Sequence, residues 1–130
     1  MVKGYKDLLA EAEAVVTSMT LQEAAALRGD PGVVLVDIRD PRELEREGVI
    51  PGAFHAPRGM LEFWIDPESP YHKPVFAEDK TFVFFCAGGL RSLLAAKVAQ
   101  EMGLQARSMR EGFGGWKAAG LPVAEKLSKG

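Results

Sequence analysis

Thr81-Phe82-Val83-Phe84-Phe85 is a run of strand formers, β-branched at two positions and aromatic at three. A strand buried on both faces reads this way. Cys86 ends the run, Ala87-Gly88-Gly89-Leu90-Arg91-Ser92 follows, and Leu93-Leu94-Ala95-Ala96-Lys97-Val98-Ala99 then reads as a helix. The order strand, glycine-containing loop, helix sets a thiol at the carboxyl end of a strand. Loop amides and the positive end of the helix dipole converge there. Such a setting favours the thiolate, the reactive form of cysteine.

Cys86 is the only cysteine in the 130-residue chain. A lone cysteine is ordinarily a small buried hydrophobe. Four features argue for reactivity instead: the strand end, Gly88-Gly89, Arg91 and the helix directly after. A single thiol permits no internal disulfide, no CxxC redox pair and no thiolate-rich zinc site. Whatever Cys86 acquires is discharged to a molecule from outside the chain. His55 and His72 lack metal-ligand spacing, so no metal or cofactor is expected; a packed strand position is expected for His55 and a loop position for His72.

Hydrophobic content of 47%, charged content of 26% and a net charge of −2 describe one soluble globular domain. No basic run suggests nucleic acid. The longest apolar runs, four to six residues, are too short to span a membrane. The first residues lack the apolar centre of a signal peptide, and a cytoplasmic address is expected, which suits a free thiol.

Outward from the thiol, periodicity supplies the remaining elements. Tyr5, Leu8, Leu9, Ala12, Val15 and Val16 follow helical spacing, giving an amphipathic helix over residues 4–14. Thr20-Leu21-Gln22-Glu23 is a capping box for a short helix ending near Gly29. Val33-Val34-Leu35-Val36 is a buried strand. Asp40-Pro41-Arg42-Glu43 opens a helix that runs to about Arg46 and stops at Gly48. Residues 53–56 form a short strand, 60–65 one or two helical turns, and the proline-rich 66–74 a loop. The helix after the thiol covers 90–102, and 105–109 is a last strand. Gly112, Gly114 and Gly115 are expected to make a turn before Trp116, and residues from about Ala124 to fray.

Buried strands alternating with helices imply an α/β fold, a small and mainly parallel sheet flanked by helices on both faces. Sites in such sheets gather at the carboxyl ends of strands. Asp37 and Arg39 share such an end. Two residues apart, they point to one side and are expected to form a structural charge network with Glu43. Arg91 is expected to favour the thiolate and attract an anion. Ser92 donates to the loop or caps the helix. Gly88 and Gly89 supply positive φ or room for a ligand. Arg58, from the loop after the short strand, is a candidate for the mouth of the site. Trp64 is a candidate cover for it, and Trp116 a core residue.

Three stretches together resemble the rhodanese-like family, over about Val15 to Val123. They are Val36-Asp37-Ile38-Arg39 with Glu43 and Gly48-Val49-Ile50-Pro51-Gly52-Ala53; Cys86 to Ser92; and Gly112-Phe113-Gly114-Gly115-Trp116-Lys117-Ala118-Ala119-Gly120-Leu121-Pro122. Many members carry histidine where Val49 stands. The resemblance makes 15–123 the domain, 1–14 a helical extension and 124–130 a polar tail. It implies a sulfurtransferase carrying sulfur as a persulfide on Cys86, with residues 87–92 cradling the outer sulfur. The implied partners are a small anionic donor of the thiosulfate type and a thiol or cyanide-like acceptor, or a protein donor or acceptor.

Two alternatives stand beside it. One is a sulfur-relay or protein-binding module with negligible turnover of small donors, docking through the 66–74 loop or the first helix. The other is a phosphatase or arsenate reductase. Those resemble this fold but use a loop with five residues between cysteine and arginine; here four separate Cys86 from Arg91. The smaller loop suits a sulfur atom better than a tetrahedral oxyanion.

Overall fold

The computed structural model describes residues 2–126. Five strands form one sheet in the order β1-β5-β4-β2-β3, with every pair parallel. They are β1 (Thr17–Met19), β2 (Val33–Asp37), β3 (Phe54–His55), β4 (Thr81–Phe85) and β5 (Gln105–Met109). The helices are α1 (Tyr5–Val15), α2 (Leu21–Leu27), α3 (Pro41–Glu47), α4 (Leu61–Ile65), α5 (Leu90–Glu101) and α6 (Gly112–Ala118). Parallel neighbours need crossovers, and these helices supply them.

The sheet is covered on both sides, as its continuous apolar strands require. Phe82 and Phe84 of β4 join Val36 of β2 in a core with α1, α4 and α5. Val83 and Phe85 face the other way, with Leu35, and pack against Leu21 and Ala24 of α2 and Phe113 and Trp116 of α6. Period-two alternation in one apolar strand thus feeds two cores. β4 lies at the centre of the sheet, so Cys86 emerges mid-edge.

Local chemistry explains the short helices. Thr20 and Asp40 cap α2 and α3, each with the reciprocal glutamate of a capping box, and Pro41 takes the first turn of α3.

Two expectations are corrected and two elements are added. Residues 17–19, where the sequence predicts no element, are a strand: Val16 leaves helical dihedrals, and the short edge pairs with β5. Residues 112–118 are helical despite three glycines. Tertiary packing overrides propensity there. A 3₁₀ turn over Pro74–Ala77 follows the proline-rich loop and buries Phe76. Ala124 does not fray but forms an antiparallel bridge with Val49. The rest of the expected tail, residues 127–130, lies outside the described residues.

Candidate functional site

The loop after β4 wraps its own cysteine. Cys86 is 1% exposed, whereas Ala87, Gly88, Leu90 and Arg91 face solvent. Two backbone amides point at the sulfur: Gly89 N–H at 3.2 Å and Ser92 N–H at 3.4 Å. The Ser92 hydroxyl lies 3.6 Å from Sγ. These donors sit at the start of α5, so the helix dipole adds its positive end. The loop therefore offers stabilisation to a negatively charged sulfur.

Gly89 makes the curl possible. Its φ is +102°, and a Cβ there would run into the Arg110 carbonyl oxygen. Gly88 does not supply positive φ, and a Cβ there meets nothing within 4 Å.

The loop is held from behind by α6. Phe113 N–H donates to the Cys86 carbonyl at 2.7 Å, and Gly114 N–H to that of Ala87 at 3.0 Å. A Cβ at Gly112 would lie 2.5 Å from the Ala87 carbonyl oxygen. Only glycine lets the helix start this close to the loop. Sequence reasoning read these glycines as a turn and missed their bearing on Cys86.

Arg91 is held by Glu43. Nη1 and Nη2 donate to Oε1 and Oε2 at 2.8 and 2.9 Å, a bidentate pair. Arg91's hydrogen bond brings the Glu43 carboxyl down to about 2, against the opposing effect of burial. The same pairing raises Arg91, with a smaller contribution from Cys86. Glu43 thus bonds the loop arginine, and Arg39 adds a smaller charge attraction to it. Asp37 and Arg39 form their own pair, with Nε 3.0 Å from Oδ1 and Nη2 2.7 Å from Oδ2. That pair is buried, not an exposed strand-end pair. Arg39 also donates to the Gly48 carbonyl at 2.9 Å, and its guanidinium lies 4.0 Å from the centroid of the Phe113 ring. Arg39 thus steadies α3 and the helix behind the thiol.

Arg58 donates to Glu62 at 2.9 Å and, through its backbone, to Ile38. Its charge is committed to α4. Trp64 packs edge-on against Phe54 in the core, and Trp116 is buried with Nε1 on the Pro122 carbonyl. His55 and His72 each bond a backbone carbonyl, Arg39 and Trp64. Among the described residues no three His, Cys, Asp or Glu side chains gather to hold a metal. No helix there is long and apolar enough to cross a membrane. One residue that sequence reasoning missed is Ser108, buried beside Ser92. Its signal was a serine in phase with the buried Ala106 of β5.

The rhodanese-like domain family matches residues 20–119. The chain belongs to that family. Several proteins are similar to it along most of their length. The human thiosulfate:glutathione sulfurtransferase is 32% identical over 92 residues, 66% of this chain and 79% of that protein. The polysulfide-sulfur transferase homodimer of Wolinella succinogenes is 27% identical with a TM-score of 0.71, covering 94% of this chain and 88% of that one. RPA3614 of Rhodopseudomonas palustris CGA009, described as of unknown function and a possible tyrosine phosphatase, is 57% identical with a TM-score of 0.93. That match covers 95% of this chain and 96% of the other.

Proposed function

We propose that this rhodanese-like chain is a sulfurtransferase that carries sulfane sulfur as a persulfide on Cys86. The observation that carries the reading is the pair of amides, Gly89 and Ser92, aimed at a buried sulfur at the start of a helix. The thiolate attacks the outer sulfur of a thiosulfate-type donor. A new S–S bond forms on Sγ, the donor's S–S bond breaks, and sulfite leaves with the electron pair. A thiol or cyanide-like acceptor then attacks the outer sulfur, and Cys86 departs as thiolate. The enzyme alternates between free thiolate and persulfide, and sulfite leaves before the acceptor reacts, so ping-pong kinetics are expected. Residues 87 to 92 line the outer sulfur, and Arg91, anchored by Glu43, keeps a positive charge beside it.

The description of the Rhodopseudomonas relative favours a second reading, phosphate-ester hydrolysis. Loop length speaks against it: four residues, not five, separate Cys86 from Arg91, and the smaller loop suits a sulfur atom better than a tetrahedral oxyanion.

Intact-protein mass spectrometry tests the proposal. Thiosulfate, or glutathione persulfide in a parallel sample, is expected to add one sulfur atom to the wild type. A reductant removes it, and Cys86→Ser and Cys86→Ala never gain it. No gain from either donor, on protein whose thiol still alkylates, overturns the proposal. Hydrolysis of p-nitrophenyl phosphate that Cys86→Ser abolishes would establish the phosphatase reading instead.

A further inference from the structure

Behind the thiol lies a second hydroxyl that the proposed chemistry has not used. Ser108 is 1% exposed and Ser92 fully buried. Their Oγ atoms are 3.0 Å apart. Ser92 Oγ is in turn 3.3 Å from the Gly89 carbonyl and 3.6 Å from Cys86 Sγ. Sheet register explains the meeting. Ser108 pairs with Phe84, and Phe84 and Cys86 share a face two residues apart. A buried hydroxyl pair in an otherwise apolar core costs stability unless every proton has a partner.

Count the protons. With Cys86 as a thiol, the S–H donates to Ser92 Oγ. The Ser92 proton then goes to the Gly89 carbonyl or to Ser108. Once the sulfur has lost its proton to solvent, Sγ only accepts. Ser92 can turn its O–H onto Sγ, and Ser108 can donate into the Ser92 oxygen behind it. Each bond in such a chain polarises the next. The thiolate then holds three donors: two amides and one hydroxyl backed by a second.

We infer that Ser108 is a positioning residue that acts through Ser92 to stabilise the Cys86 thiolate. The inference rests on the reading of Cys86 as the reactive thiol and extends it to a strand outside the loop. In the transfer cycle the same chain serves the step in which Sγ leaves the persulfide as thiolate. The charged groups on the elements packed against the loop include Arg91 of α5, Glu43 of α3, the Asp37–Arg39 pair at the end of β2, Arg107 of β5, and Arg110 and Glu111 between β5 and α6. Substituting Ser108 changes none of these charges.

The test is a titration of thiolate ultraviolet absorbance, with Cys86→Ser as baseline, on wild type and on Ser108→Ala, Ser92→Ala and the double variant. Ser108→Ala is expected to raise the midpoint by about 0.4–1.1 pH unit, as for the loss of one neutral hydrogen bond. Ser108→Thr, which keeps the hydroxyl, restores it. In the Ser92→Ala background, removing Ser108 adds nothing. A Ser108→Ala midpoint equal to that of wild type overturns the inference, whatever the thermal melt does. So does an equal shift in the Ser92→Ala background, because Ser108 would then act without Ser92. No sulfur donor enters this titration, so it fails or succeeds separately from the persulfide experiment.

Discussion

The two loop glycines are adjacent, chemically identical and structurally opposite. Gly89 has φ +102° and has the Arg110 carbonyl where a side chain would go. Its N–H is also the amide nearest Sγ. Gly88 has neither constraint. Gly89→Ala is therefore expected to cost about 1–3 kcal/mol of stability and to lower sulfur loading sharply. Gly88→Ala is expected to leave both close to wild type. Urea unfolding and the mass assay on the two variants check this; a tolerated Gly89→Ala would mean that the curl is not what aims the amide. The sequence announced a glycine loop beside the thiol but not which glycine mattered. Both satisfy the local rule, and only the backbone of Arg110, remote in sequence, separates them. Ser108 was hidden for the same reason: its partner comes from another element.

Between elements, the loop is held from two sides. From α6, Phe113 and Gly114 donate to its carbonyls. From α3, Glu43 clasps Arg91. Capping rules made α3 legible, and they explain why Glu43 points back at Asp40. They do not show that the same carboxylate reaches across to α5. The glycines of α6 misled propensity reasoning because their purpose is close approach to the loop, and helix formation follows from the packing. The α3 link has a pH signature. The folded Glu43 carboxyl sits at about 2, below its ordinary value of 4.5, because Arg91 donates to it. A depressed carboxylate contributes stability that is complete above the unfolded value and is lost as pH falls through the folded one. The difference in unfolding free energy between wild type and Glu43→Gln is thus expected to be about 1 kcal/mol at neutral pH, after allowance for the half-exposed arginine. It should shrink from about pH 4.5 downward and vanish near pH 2. Urea midpoints across that range measure it, and a difference that persists at the acid end would assign the effect to something other than the Arg91 pair.

Across the whole molecule, the α/β class and the sheet were readable because each strand is a compact apolar run with helical periods between. Carboxyl-end placement then put Cys86, Asp37 and Arg39 on one edge without further information. The role of the first helix was the least legible part. Its charged face reads as an appendage, and the family match begins only at residue 20. Yet α1 is built into the core: Ala12 is fully buried, Leu9 packs beside it, and both belong to the cluster formed by Ala95, Ala96 and Ala99 of α5. Gln100 of α5 donates to the Val15 carbonyl at 3.0 Å. Removing residues 1–14 would strip α1 from α5, where Ala12 shares a buried cluster with Ala95, Ala96 and Ala99, and water would take its place. From the apolar area involved, the truncation is expected to cost about 2–4 kcal/mol. α5 begins at the thiol loop, so sulfur loading should fall in the same denaturant range where the truncated chain loosens, ahead of the full chain. Urea unfolding monitored by the two tryptophans, alongside loading by mass, tests both halves. An unchanged midpoint would make α1 an appendage after all, whereas a lowered midpoint with coincident loss of loading ties the thiol loop to a helix that the sequence presents as dispensable.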